Sequence, residues 1–168
     1  AFRAELITIH NSILSKVFDT SASKDVILGK QNWLYYKDTE DDYLGKNILS
    51  DAEIEIISNN IKMMQQYVEA QGAKFLFFIA PNKNSLYEQY MPELGAKFSQ
   101  QSNAEKLMSA LQKQNVTYID FFAVFDEKEE ILYHRLDSHW NNKGAALARD
   151  TILETLEIEQ YIKWYDVA

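Results

Sequence analysis

The chain has 168 residues, a formal net charge of -8, no cysteine and 46% hydrophobic residues, among them 9 Phe, 3 Trp and 10 Tyr. That length suits one α/β-sized domain over residues 1–168, able to bury about 70% of its unfolded surface. The acidic balance, with no basic patch, argues against nucleic acid as a partner, because holding phosphates needs clustered Lys and Arg. Without cysteine there are no disulfides, thiolate metal sites or cysteine nucleophiles. No run approaches the ~20 apolar residues of a membrane span, so membrane association is expected only through other parts of a parent protein. The start at Ala1, without Met and without a charged-then-apolar leader, reads as a mature or excised piece.

In AFRAELITIHNSILSKVF, the spacing of Leu6, Ile9, Ile13, Leu14 and Val17 predicts an amphipathic helix ending near Phe18, with His10 as a surface or packing residue. DTSASKD is a connector. VILGKQNWLYY reads as a strand, a Gly-Lys-Gln-Asn turn and a strand, that is, a hairpin. The acidic TEDDY and the LGKN after it read as a solvated loop. Ser50 and Glu53 form a capping box heading DAEIEIISNNIKMMQQYVEAQ, a helix that Gly72 can terminate. Its apolar stripe is Ile54, Ile57, Ile61, Met64 and Val68.

KFLFFIA, residues 74–80, is continuously apolar and stopped by Pro81, the pattern of a central parallel strand covered on both faces. PNKNSLYEQYMPELG leaves its carboxyl end, where open α/β sheets place ligands. Asn82, Lys83 and Tyr87 are candidate site residues there; the plainer reading is a turn and a short helix between Pro81 and Pro92. NAEKLMSALQKQN gives a second amphipathic helix with Leu107, Ala110 and Leu111 inward, and VTYIDFFAVF a second core strand. After DEKEE, a short ILYH strand leads into RLDSHW. Asn141 or Asn142 can cap a last helix carrying Ala145, Leu147, Ala148, Ile152, Leu153 and Leu156. The aromatic tail IEQYIKWYDVA packs as a terminal strand or helix, or is the cut end of something longer. This alternation is that of an α/β domain with a mainly parallel sheet and right-handed crossovers. Neither G-x-G-x-x-G nor G-x-x-x-x-G-K-[ST] occurs, so dinucleotide and P-loop readings have no motif.

Chemistry concentrates in YHRLDSHWNNKG, residues 133–144. Asp137 and His139 stand two apart on an extended loop and can face one cleft. The carboxylate would hold one imidazole nitrogen while the other takes a nucleophile's proton. Alternatively His134, Asp137 and His139 could ligate a divalent transition metal, with Arg135 beside them and no obvious further ligand weighing against it. A third reading is a helix start at which Asp137 or Asn141 caps backbone amides and Trp140 anchors the loop; it is compatible with catalysis.

Taken with GKQNWLYY and APNKNSLYEQYMP, in that order and at comparable intervals, YHRLDSHWNNKGA resembles the alginate O-acetyltransferase family of SGNH-hydrolase-like proteins, including relatives with DHHW in place of DSHW. The resemblance implies a three-layer α/β sandwich, no metal or cofactor, and an extracytoplasmic setting, periplasmic or at the cell surface. It also implies an acetyl donor, either a protein or a small acyl donor, a polysaccharide acceptor and a covalent acetyl-serine intermediate. By the same resemblance Asp137 is the orienting carboxylate and His139 the general base. Lys83 and Tyr87 fall within a family signature and, with Tyr133, are the substrate-binding candidates.

The family's serine lies in a Gly-Asp/Thr-Ser block downstream of the Asp-His motif. None of the eleven serines here is preceded by Gly-Asp or Gly-Thr. Ser138 is a poor substitute, because neighbouring side chains on an extended segment point to opposite sides. The expectation is therefore the amino-terminal part of a polysaccharide O-acetyltransferase or acetylesterase, incomplete at its C-terminus and inactive alone. One alternative is a noncatalytic carbohydrate-binding or scaffold module in which Trp33, Tyr35, Tyr36, Tyr87, Tyr90 and Tyr133 stack on sugar rings. Another is a metal-dependent hydrolase using His134, Asp137 and His139.

Overall fold

Val26–Leu28 (β1) and Leu34–Tyr36 (β2) form the expected antiparallel hairpin, with Val26 opposite Tyr36 and Leu28 opposite Leu34. In this computed structural model the described residues are 23–158 and 163–165. The helix expected to end near Phe18, His10 with it, and most of the aromatic tail lie outside them. The hairpin turn places Gln31 and Asn32 at φ of 55° and 61°, the left-handed region that Asn tolerates better than most residues. Ile27, Trp33 and Tyr35 are buried with Met91, and Tyr43, Tyr87, Tyr90 and Leu94 pack around them. The acidic stretch after the hairpin is ordered rather than irregular. Glu40–Tyr43 (α1) is one helical turn, its acids at the positive end of the helix dipole.

Asp51–Ala70 (α2) opens with the expected capping box: Ser50 Oγ accepts from the Glu53 amide at 3.3 Å, and Glu53 Oε2 accepts from the Ser50 amide at 2.8 Å. Its buried stripe is Ile54, Ser58, Ile61 and Gln65, with Ile57 and Val68 half-buried. Met64, placed in the stripe by spacing, is 58% exposed. Gln65 takes the inward place because its Oε1 accepts from the Thr117 amide at 2.9 Å, tying the helix to the start of a strand.

That strand, Tyr118–Ile119 (β4), pairs in parallel with Phe77–Phe78 (β3). Between them lie the short Lys83–Leu86 helix (α3) and Asn103–Lys113 (α4), the latter headed by a second capping box from Ser102 and Glu105. Side chains alternate about the parallel pair, as an extended backbone requires. Phe75, Phe77 and Tyr118 pack with Ile61, Leu107 and Leu111 of α2 and α4. Leu76 and Ile119 pack on the opposite side with Phe121, Phe125 and Leu147. The last three belong to Phe121–Asp126 (α5) and Asn142–Thr155 (α6). The α/β class holds, with helices on both faces of a parallel pair.

The extent of the sheet differs from expectation. Among the described residues both sheets are two-stranded, so a wide, mainly parallel sheet is not present in them. Continuous apolarity reports that both faces of a segment are covered; it does not count neighbouring strands. Here Phe78 is 40% exposed and only two residues of the 74–80 run are paired. VTYIDFFAVF is strand only at Tyr118–Ile119. Asp120 Oδ1 then accepts from the amides of Phe122 and Ala123 at 3.0 and 3.2 Å, an N-cap that turns the rest into α5. The ILYH strand reduces to a single antiparallel bridge between Tyr133 and Trp140. Among the described residues no helix is long and apolar enough to cross a membrane.

Candidate functional site

The Asp-His loop is built outward from the start of α6. Asn141 is its N-cap: Oδ1 accepts from the Gly144 amide at 2.9 Å, while Nδ2 and the backbone amide donate to the Ile131 and Leu132 carbonyls at 2.7 and 2.8 Å. Asn141, not Asp137, therefore caps the helix. The Tyr133–Trp140 bridge and a 3.1 Å bond from the His134 amide to the His139 carbonyl close residues 134–139 into a tight loop. Trp140 anchors it from below, with Nε1 donating to Tyr133 Oη at 2.5 Å and its ring edge-on to Phe121 and Phe125.

Gly144 lets this assembly close, because a Cβ there would overlap the Leu132 carbonyl oxygen and stand 3.2 Å from Trp140 Cβ. Gly144→Ala gains about 1 kcal/mol of helix propensity but forces backbone apart at a cost of about 1–3 kcal/mol. A net loss of stability is expected in chemical denaturation. An increase would show that the Leu132 carbonyl yields freely.

Asp137 Oδ1 accepts from both the backbone amide and the ring Nδ1 of His139, at 2.9 and 2.5 Å. Both side chains are exposed, at 57% and 82%. With Nδ1 turned to the carboxylate, Nε2 is the ring nitrogen left for another partner. The His139 ring first, and its amide second, hold the Asp137 carboxyl below the ordinary value of 3.8. A carboxylate depressed in this way contributes its pairing fully above its unfolded pKa, and loses it as pH falls through the lower folded one. Carbon-13 NMR is expected to show Asp137 titrating below 3.8, and rising toward that value in His139→Ala. Identical titrations would mean that the pair does not form.

A groove of about 210 Å³ runs past the pair, lined also by Asp25, Leu34, Tyr36, Leu136 and Ser138. Tyr36 and Leu136 are 46% and 62% exposed. Among the described residues no hydrogen bond joins Ser138 to the His139 ring, whose bond goes to Asp137. A separate cleft of about 320 Å³, lined by Asp42, Lys97, Glu105 and Asp120 among others, contains no histidine and is distinct from this groove.

The other candidates lie beneath the loop rather than in the groove. Lys83 is 4% exposed, and its ammonium donates to the carbonyls of Leu34, His134, Arg135 and Asp137 at 2.7–2.9 Å. Burial pulls its pKa down to about 8. Tyr133 is 3% exposed, its hydroxyl donating to the Pro81 carbonyl, and burial raises its pKa. Tyr87 is half-buried: its hydroxyl accepts from the Leu132 amide at 2.8 Å, its carbonyl from Tyr35 Oη at 2.7 Å, and burial raises its pKa. Lys83 and Tyr133 are thus buried beneath the loop and neither lines the groove beside the pair. Asn82 Nδ2 donates to Asp42 Oδ2 at 3.1 Å, away from the pair.

The six aromatics considered as a sugar platform also divide. Trp33 and Tyr35 are core residues at 2% exposure, Tyr90 stacks on Trp33 at 4.3 Å, and only Tyr36 is exposed. Among the described residues no group of three His, Asp or Glu converges as metal ligands, so His134 does not join Asp137 and His139 in a ligand set. The groove's Asp25 and the carbonyl cage around Lys83 are what sequence reasoning missed. One signal could have found the cage. The three ordered motifs meet there, since Leu34, Lys83 and the 134–137 carbonyls come one set from each.

Residues 26–164 match the family described as SGNH hydrolase-like domain, acetyltransferase AlgX. The chain is 21% identical over 134 residues to a protein of Pseudomonas fluorescens named probable alginate O-acetylase AlgJ, covering 78% of this chain and 33% of that one. Its fold is similar to the O-acetyltransferase domain of Pseudomonas putida AlgJ, with a TM-score of 0.58 at 20% identity, covering 79% of this chain and 47% of that one. Pseudomonas aeruginosa AlgX is also similar, with a TM-score of 0.55 at 20% identity over 79% of this chain and 31% of that one. The chain thus spans about a third of the curated relative and less than half of either solved structure. By the match over residues 26–164, the chain belongs to the AlgX family of SGNH hydrolase-like acetyltransferase domains.

Proposed function

We propose that this chain carries the acid-base half of a polysaccharide O-acetyltransferase site, working outside the cytoplasm. The observation that supports this most is the Asp137–His139 pair, bonded at 2.5 Å and standing open on a groove rather than buried in a core. In this reading His139 Nε2 takes the proton of a serine hydroxyl as that oxygen bonds to the acetyl carbon, and returns it to the departing donor. A polysaccharide hydroxyl then loses its proton to the same nitrogen as it takes the acetyl group. The serine regains its proton, and no net charge is created. The serine comes from outside these 168 residues, on further polypeptide or on a second protein. Names of the relatives point to alginate or a similar polymer as acceptor.

Removing the chain from its host is expected to lower the ester-bound acetate of the secreted polysaccharide, read by proton NMR, without lowering polymer yield. Unchanged acetate would sink the reading.

A further inference from the structure

Lys83 sits where an ammonium is costly. Taking a charge out of water costs several kcal/mol even after relaxation, and among the described residues no carboxylate pairs with this one: Asp137 meets it through its backbone carbonyl, the carboxylate being engaged with His139. What offsets the cost is a cage. Three N–H groups face four carbonyl oxygens at 2.7–2.9 Å, so every donor is used and at least one is shared. The rings of Trp33 and Tyr35 complete the enclosure, their centroids 4.7 and 5.2 Å from Nζ.

The cage carbonyls belong to two elements that are also joined at the Leu34 amide, which donates to the Arg135 carbonyl at 3.0 Å. Three of the four come from residues 134, 135 and 137. Turning those carbonyls inward fixes the peptide planes on both sides of Arg135 and the one after Asp137. The backbone from which the Asp137 and His139 side chains depart is thereby set, and Leu34 and Tyr36 of β2 are placed against it as the groove's other wall.

We propose that Lys83 is a positioning residue, a built-in structural cation whose carbonyl cage holds the Asp137–His139 pair in register with the β1–β2 hairpin. The role rests on reading the pair as the acid-base site. The cage requires a compact point charge, so arginine, a planar fork of five donors, is not a conservative replacement.

The test is chemical rescue, followed by NMR on the isolated chain so that it does not depend on acetyl transfer. Lys83→Ala removes three methylenes and the nitrogen, the fragment that n-propylammonium restores. In Lys83→Ala the amides of Leu34 and His134 are expected to lose about tenfold or more of their exchange protection, and the Asp137 titration to move up. Millimolar n-propylammonium is expected to reverse both changes while n-propanol does not. Lys83→Met, which fills the space without the charge, should show the same losses with no rescue and with α2 unaffected. If Lys83→Ala does not fold, refolding with n-propylammonium but not with n-propanol supports the role, and refolding with neither overturns it. Unchanged protection and titration in both variants, or equal rescue by the alcohol, also overturn it. Failure here would leave the acid-base reading standing, because that reading is judged by acetate on the polymer.

Discussion

Replacing His139 by alanine is expected to slow acetyl transfer by roughly a thousandfold or more while leaving the thermal midpoint unchanged. The two halves of this result have different origins. Loss of a general base costs roughly 10²–10⁴-fold, and loss of a member of a serine-type triad lies at the upper end. Stability should not follow, since the side chain is 82% exposed and its ring bond goes to a carboxylate that is itself 57% exposed. Exposed substitutions of this kind usually stay within about 0.5 kcal/mol. Asp137→Asn should follow His139→Ala in rate, because an amide can no longer hold Nδ1–H as an acceptor with full charge. A variant that loses stability in parallel with rate would mean that the pair is a structural tie and not a reactive one.

The largest stability effect is expected at the opposite end of the burial scale. Phe121 is fully buried, edge-on to Phe78 at 5.2 Å and to Trp140 at 5.9 Å and tilted against Phe125 at 5.8 Å. Phe121→Ala removes a ring that touches the parallel pair, α5 and the anchor of the Asp-His loop at once. Such truncations cost about 3–5 kcal/mol, a large share of the about 5–15 kcal/mol that holds a domain together. A urea midpoint lower by more than about 1 M is the expected reading. The ring under Trp140 is lost as well, so the loop should loosen in the folded fraction. A cost below about 1 kcal/mol would mean that the space collapses and that this cluster is not the core.

Local rules carried much of the fold. Ser50 with Glu53, Asn141 ahead of an apolar periodic run, and VIL and LYY flanking a Gly-Lys-Gln-Asn turn each form what their short-range chemistry dictates. Two misreadings share a cause, since a polar residue inside an apolar run was passed over. Asp120 in VTYIDFFAVF caps a helix, and Phe121 and Phe125, four apart, already had helical spacing. Gln65, not Met64, faces inward because a strand amide waits there. The Asp137–His139 contact was legible from its two-residue spacing. The position of Lys83 was not. Lysine is almost never fully buried, and its partners are backbone carbonyls, which leave no mark on residue type. Only the order of three motifs from separate parts of the chain hinted that they meet.

In the proposed reading His139 serves a serine that is not its sequence neighbour Ser138. That reading is tested most directly by ester-bound acetate on the polysaccharide of a host whose sole copy of the chain carries either Ser138→Ala or His139→Ala. Wild-type acetate is expected with Ser138→Ala and essentially none with His139→Ala. Full acetate with His139→Ala, or its loss with Ser138→Ala, would contradict that reading.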